Sequence, residues 1–499
     1  MNKRLSKSKI MSGLQCEKRL WLEVHQPDAK IVSDNTQWLF DSGNAVNDVA
    51  RALHQGGHLI ELVDWNFADA IEETKRRLND APQAPLFEGT FVHDGVLIMA
   101  DILQRDEDGY RLIEVKSSSS VKDPYYADCA VQAWVLEGAG LTIHKVELAH
   151  INTSFIYRGA GDYHGLLHYE NLTDAIAEHK REVPNHVSRF KKVLAGEQPN
   201  IEVGDHCHTP YTCPFIEHCS APNAGESVKY PVTCLPHDRG ISAQLLSEGI
   251  EDLRDIPHDR LHNEQHKMMR RVCLTGKAEL NPRAKKFINR QPYPRYYFDF
   301  ETIGFAVPIW KGTRPYQQIP FQWSCHMEEQ SGELRHAEFL DTTGDAPMRA
   351  VTESLLQAVG DSGPIFVYGA FEKGRLNDLA GCFVDLADDI EKVIERLVNL
   401  LPLARFNYYH PDMMGSWSLK NVLPTVAPHL DYSDLGEVRD GAAAGAAFRQ
   451  ITHPETDAQH AKSLTHDLLE YCKRDTEGLV ALVRFLASGK IQTQSKSDA

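Results

Sequence analysis

Three sets of residues have the types and spacings that chemistry needs. The first lies in MADILQRDEDGYRLIEVKSSSS, where Asp101 precedes a turn and Glu114 and Lys116 follow it. Strand side chains alternate faces, so Glu114 and Lys116 share one side while Val115 points to the other. Asp-Gly at 108–109 signals a hairpin, and pairing across it brings Asp101 toward that pair. Two carboxylates and a lysine on one polar face suit phosphodiester hydrolysis. The acids hold Mg²⁺ or Mn²⁺, and the ammonium orients or helps deprotonate a water. Downstream, Asp128 and Gln132 fall one helical turn apart and face the same way. The plain alternative is a solvated strand face with an incidental ion pair.

The second set is sulfur. Cys207, Cys213 and Cys219 are spaced Cys-x5-Cys-x5-Cys in the Pro- and His-rich stretch GDHCHTPYTCPFIEHCSAPNAG, and Cys16 lies far upstream in GLQCEKRLWL. Thiolates in an irregular segment suit a soft metal or an iron–sulfur cluster, which ties a loop down without an apolar core. Zn²⁺ is the alternative, with His206, His208 or His218 as substitute ligands. Cys129, Cys234, Cys273, Cys325, Cys382 and Cys472 sit mostly in apolar contexts and read as buried thiols.

The third set is acidic. YYFDFETIGF is an apolar strand carrying Asp299 and Glu301 on one side. Burying both carboxylates is costly, and a divalent metal is the simplest compensation. In LLEYCKRDTEGLVALV, Tyr471 and Asp475 are at i and i+4 of a helix and point the same way. PIFVYGAFEKGRLNDLA reads as a strand running into a helix, with Glu372 at the junction.

The elements that must position these residues fall into segments. A chain of 499 residues suits two or three domains, and 42% apolar with 25% charged residues is the composition of a soluble globular protein. No run reaches the ~18 apolar residues of a membrane span, and the start lacks the apolar core of a secretory signal, so a cytoplasmic location is expected. The net charge of −17 argues against non-specific coating of nucleic acid, though not against a nuclease whose carboxylates are neutralised by metal. Ten cysteines in such a chain read as metal ligands and buried thiols rather than a disulfide framework.

Residues 1–225 form the first expected domain. Its helices lie near 16–24, 40–53 and 125–137, and its strands near 87–91, 95–104 and 110–115. Residues 226–290 read as a helical connector, 291–490 as an α/β domain with alternating strands and helices, and 491–499 as a frayed tail.

The order Asp101, Glu114-Val115-Lys116, then a helix with Gln132, resembles the PD-(D/E)XK nucleases of the RecB type, including the CRISPR-associated ones. That resemblance implies a restriction-endonuclease-like fold, with Asp101 and Glu114 as metal ligands, Lys116 as the catalytic lysine and Gln132 in support. The family's upstream His, four residues after a Gly, falls here on Asn47, with Asp48 beside it as a substitute. The one-plus-three cysteine layout resembles the members that hold a 4Fe-4S cluster, and implies Cys16, Cys207, Cys213 and Cys219 as its ligands.

The C-terminal pieces resemble the DnaQ-like DEDD exonucleases of the ribonuclease H-like fold. Tyr471 places them in the Tyr subclass, since the His subclass has His where Glu470 stands. The resemblance implies Asp299, Glu301, Glu372 and Asp475 as ligands of two metals, with Tyr471 orienting the attacking water. Glu372 stands where the family has Asp, and Asp378 is a nearby substitute. As a whole the chain resembles a bacterial family that fuses the two modules. A metal-dependent nuclease is implied, acting 3′-to-5′ on a DNA single strand or end. The alternatives are a catalytically weak, cluster-stapled nucleic-acid-binding platform at the N-terminus, or a scaffold within a repair or defence complex.

Three smaller signals accompany these. LLSEGIEDLRDIP (245–257) resembles one hairpin of a helix-hairpin-helix element, with the cations of HKMMRR (266–271) after it. KGTRPYQQIPFQWS (311–324) joins Lys311, Arg314, Tyr316 and Trp323 in a pattern suited to gripping a single strand. Lys420 follows an aromatic residue, as a substrate contact would.

Overall fold

Apolar strands build two main sheets, and a two-stranded one accompanies them. The computed structural model describes residues 5–31, 35–220, 228–432 and 435–491. The chain divides into two units, Met1–Gly225 with Phe305–Gln317, and Glu226–Gly304 with Gln318–Ala499. The segment 226–290 thus belongs to the second unit rather than standing apart. The loop 305–317, inside the expected 291–490 domain, belongs to the first.

In the first unit the strands are β1 (Leu5–Ser6), β2 (His58–Leu59), β3 (Leu86–His93), β4 (Val96–Asp106), β5 (Gly109–Lys116), β6 (Ile143–Ile151) and β7 (Leu167–Asn171). Among the described residues they form one sheet ordered β2-β3-β4-β5-β6-β7, with β1 added alongside β4. β3, β4 and β5 are antiparallel neighbours, and the helix Asp123–Gly138 crosses over from β5 to the parallel β6. The β4–β5 turn at 107–108 closes on Gly109, whose positive φ and approach to the Thr142 carbonyl exclude a side chain. β5 pairs with β4 only from Ile102 onward, so Leu5 and Ser6 of β1 can pair with Val96 and Leu97. The helix Lys7–Gln15 then starts beside the sheet.

One sheet face, with Val96, Ile98, Leu112 and Leu148, packs on the helices Asp123–Gly138 and Ala177–Ala195. The other, with Ile102, Ile113 and Val115, packs on Val46, Val49, Ala306 and Val307.

The helix expected near 16–24 forms at Glu17–His25, and Cys16 sits at the junction with the preceding helix. Its backbone is extended (φ −161°, ψ 123°), so it caps Lys7–Gln15 and opens Glu17–His25. Asp48, the expected substitute ligand, is exposed and paired with Arg51.

In the second unit β8 (Glu279–Leu280) pairs with β14 (Tyr408–Tyr409). The main strands are β9 (Arg295–Ile303), β10 (Ile319–Glu328), β11 (Leu334–Leu340), β12 (Ile365–Val367) and β13 (Leu397–Asn399). Among the described residues their order is β11-β10-β9-β12-β13. β10 is antiparallel to both neighbours, and β9, β12 and β13 are parallel. Tyr296, Phe298 and Phe300 of β9 face an apolar cluster with Trp323, Cys325 and Val351. The opposite face lies under the helix Ala458–Ser488, where Gln322 Nε2 donates to the Leu468 carbonyl and Ser324 meets Thr476 at 2.8 Å.

The smaller signals fare differently. The hairpin element is not formed as two helices: after Ile241–Ser247 the chain makes only a 3₁₀ turn at Leu253–Asp255, because Asp252 captures the Arg254 and Tyr230 amides. The following cations are spent internally, Arg270 on the Ile256 carbonyl and Arg271 on Glu279. Trp323 is buried with its indole on Ser354, so it offers no face for stacking bases. Cys382 is exposed rather than buried. The tail from 492 lies outside the described residues. No helix among the described residues is long and apolar enough to cross a membrane.

Candidate functional site

The pleat of β9 puts Asp299 and Glu301 on the face that the long C-terminal helix covers, and that helix brings Asp475 and Tyr471 over them. Glu372, at the start of the helix Phe371–Cys382 that follows β12, is buried, and its carboxyl interacts with that of Asp299. Four acids from three elements far apart in sequence therefore converge in the second unit. Asp378, the possible substitute for Glu372, instead pairs with Arg375 at 2.8 Å.

Among the described residues no fully buried cation neutralises this group; the charges of Lys420 and Arg474 only partly offset the effect of burial. Burial, then the charges of Asp475 and Glu301, hold the Asp299 carboxyl well above its usual range. Burial and Asp475 do the same to Glu301. Burial pushes Asp475 up to about 6, although the Tyr432 and Tyr471 hydroxyls donate to it. Glu372 Oε2 is buried without a hydrogen-bond partner. Oxygen ligands crowded in a low-dielectric site, one of them orphaned, are the donor set that Mg²⁺ or Mn²⁺ requires.

Lys420 faces the group from the side, its ammonium 5.5 Å from the Tyr432 ring centre, 5.6 Å from that of Tyr471 and 2.6 Å from the Arg439 carbonyl.

The first unit assembles the Glu-x-Lys set. Asp101 accepts the Val115 amide at 2.8 Å, placing its carboxylate beside Glu114. Glu114 is 1% exposed and Gln132 Nε2 donates to it at 2.5 Å. Lys116 Nζ lies 2.5 Å from Glu114 and 2.8 Å from Asp128. Burial opposes ionisation of Glu114, but the ammoniums of Lys116 and Lys7 outweigh it and hold the carboxyl below its ordinary range. Burial and the Glu114 charge hold Asp101 well above its own.

Sequence reasoning missed Lys7, whose Nζ reaches Glu114 at 2.8 Å and Asp128 at 3.2 Å. It also missed Glu88, which sits in β3 at positive φ between the paired Phe87–Ile102 and Gly89–Ala100, opposite Asp101. In the second unit it missed Tyr432 and the closeness of Cys472 to the acids, its ligand atom within 4.8 Å of those of Asp299 and Glu301. Only Glu88 had a readable signal, as an acid interrupting the apolar run LFEGTF.

Cys16, Cys207, Cys213 and Cys219 line one pocket with Arg19 and Phe215. Gln15 Nε2 donates to the His206 and Tyr211 carbonyls at 2.7 Å each, tying the cysteine loop to the first helix. Among the described residues no three of these thiols lie within 4.8 Å of one another.

Comparison with known proteins finds distant relatives. Over 213 residues the chain is 25% identical to an uncharacterized protein MG366 homolog of Mycoplasma pneumoniae, covering 38% of this chain and 32% of that protein. Over 217 residues it is 23% identical to the uncharacterized protein UU173 of Ureaplasma parvum, covering 38% and 31%. The chain thus spans about a third of the length of the curated relatives it matches. No solved structure matches. Over residues 296–418, the stretch carrying Asp299, Glu301 and Glu372, the chain matches the family model DUF2779, described as a domain of unknown function.

Proposed function

We propose that this protein is a metal-dependent nuclease that hydrolyses DNA phosphodiester bonds, removing nucleotides from a 3′ end at Asp299, Glu301, Glu372 and Asp475. The observation that carries this reading is the convergence of those four buried acids, with no fully buried cation beside them among the described residues and one carboxylate oxygen orphaned. The sheet order β11-β10-β9-β12-β13, with β10 alone reversed between β9 and β11, supports a ribonuclease H-like assignment for the second unit. The antiparallel β3–β4–β5 followed by a helical crossover to β6 supports a PD-(D/E)XK assignment for the first.

Mg²⁺ or Mn²⁺ held by the four acids supplies the Lewis acidity and water activation that phosphodiester cleavage needs. The chain's own groups do the rest. Tyr471, anchored on Asp475, orients a water for in-line attack, and Lys420 adds positive charge beside the acids for the phosphate. In the first unit Asp101 and Glu114 are the metal-holding acids, Lys116 the catalytic cation and Gln132 its support. The four cysteines hold an iron–sulfur cluster that staples the 205–220 loop, with zinc as the alternative occupant, and Arg19 offsets the negative charge.

The Lys7 ion pairs favour a second reading of the first unit. A second ammonium among Glu114 and Asp128 competes with a divalent ion, as a catalytically weak, cluster-stapled binding platform would tolerate. Incubation of 3′- and 5′-labelled single strands with Mg²⁺ tests the main reading. Loss from the 3′ end should vanish in Asp475→Asn, and strands left intact by the wild-type protein would refute it.

A further inference from the structure

Outside both acid groups and the cysteine pocket, β6 and β7 bring three ligand-type side chains together: His150, His168 and Glu170, whose ligand atoms all lie within 4.8 Å of one another. The register explains the meeting. His150 pairs with His168 and Leu148 with Glu170 across the antiparallel strands, so all three project from one face of the sheet. We propose that these residues form a separate site for a borderline divalent metal of the Zn²⁺ or Co²⁺ class, with a fourth position open.

Two details of geometry carry this. His150 is 8% exposed, and its Nδ1 lies 3.3 Å from the Ile151 carbonyl. A carbonyl only accepts, so a proton on Nδ1 would make this bond and leave the Nε2 lone pair free for a metal. His168 Nε2 and Glu170 Oε1 are 3.2 Å apart. Bonds of ~2.0–2.1 Å in a tetrahedron give a ligand–ligand edge of about 3.3 Å, so this pair is already spaced for one ion. Two imidazoles and one carboxylate select zinc-class ions over Mg²⁺, which takes oxygen ligands in an octahedron. Half-exposed His168 and Glu170 give the ion a way in, while buried His150 anchors it. Neither nuclease assignment is needed for this site, so its failure would leave them untouched.

Co²⁺ is titrated into the full chain in excess Mg²⁺, which fills the oxygen-only sites. Binding is followed by the ligand-field absorption of tetrahedral Co²⁺ without a sulfur charge-transfer band. The wild type should take up about one equivalent in this form. His168→Ala and Glu170→Gln should each bind at least about tenfold more weakly. Both residues are on the surface, so circular dichroism should show an unchanged fold. Isotherms of both variants superimposing on the wild type would overturn the site.

Discussion

Asp299→Asn tests the second unit most directly, because its effects on stability and on activity have opposite signs. Acids held above their ordinary range bind protons more tightly folded than unfolded. They leave stability intact below the unfolded value and remove it as pH rises through the folded one. Asp475 sets the scale: moved from 3.8 to about 6, it costs on the order of 3 kcal/mol once ionised. Asp299 is displaced the same way, by burial first and then by Asp475, Glu301 and Glu372. Replacing it with a neutral amide of the same size removes its own cost and one repulsion on each neighbour.

In EDTA at about pH 8 the variant should therefore exceed the wild type in unfolding free energy by roughly 1–3 kcal/mol, the gap closing toward about pH 4. Mg²⁺ should reverse the order. At 100 times its dissociation constant it adds about 2.7 kcal/mol to the wild type and little to a variant lacking the charge that holds the ion. Urea unfolding with and without Mg²⁺ reads the stability, and degradation of a 3′-labelled single strand in Mg²⁺ and in Mn²⁺ reads the function. Wild-type rates in Asp299→Asn, or a wild type that Mg²⁺ does not stabilise, would refute the reasoning.

Tyr471→Phe should be milder, slowing 3′-end release about tenfold, since it deletes one hydrogen bond and leaves the four acids in place. Lys116→Ala removes only the first unit's catalytic cation, so 3′-end degradation should persist at the wild-type rate; if it and Asp299→Ala each abolish all cleavage, the two sites are not independent. Cys16→Ser should lose iron from anaerobically purified protein and lower the stability of the first unit, whereas stoichiometric zinc without iron in the wild type would replace the cluster by a zinc site.

Whatever depended on local periodicity was legible in the amino-acid order. Glu114 and Lys116 share a face because strands repeat every two residues, and Tyr471 lies one helical turn before Asp475 because helices repeat every 3.6. Asp-Gly marked the β4–β5 turn, and apolar runs located β3, β4, β5, β9 and β10, while β6 and β7 went unread. What remained hidden depended on pairing between distant segments. Lys7 and Glu114 are 107 residues apart and Tyr432 and Asp475 are 43 apart, so nothing local announces either contact.

Tertiary packing also overrode local signals. Trp323 has the look of a stacking platform but is consumed by the core. The loop 305–317 leaves the strand order of its own domain to pack in the first unit, where Tyr157 and Thr313 bond at 3.0 Å. Sequence periodicity determines which face a residue takes. Only the closing of the chain decides what that face meets, because burial energy depends on the partner surface and not on the neighbours in sequence.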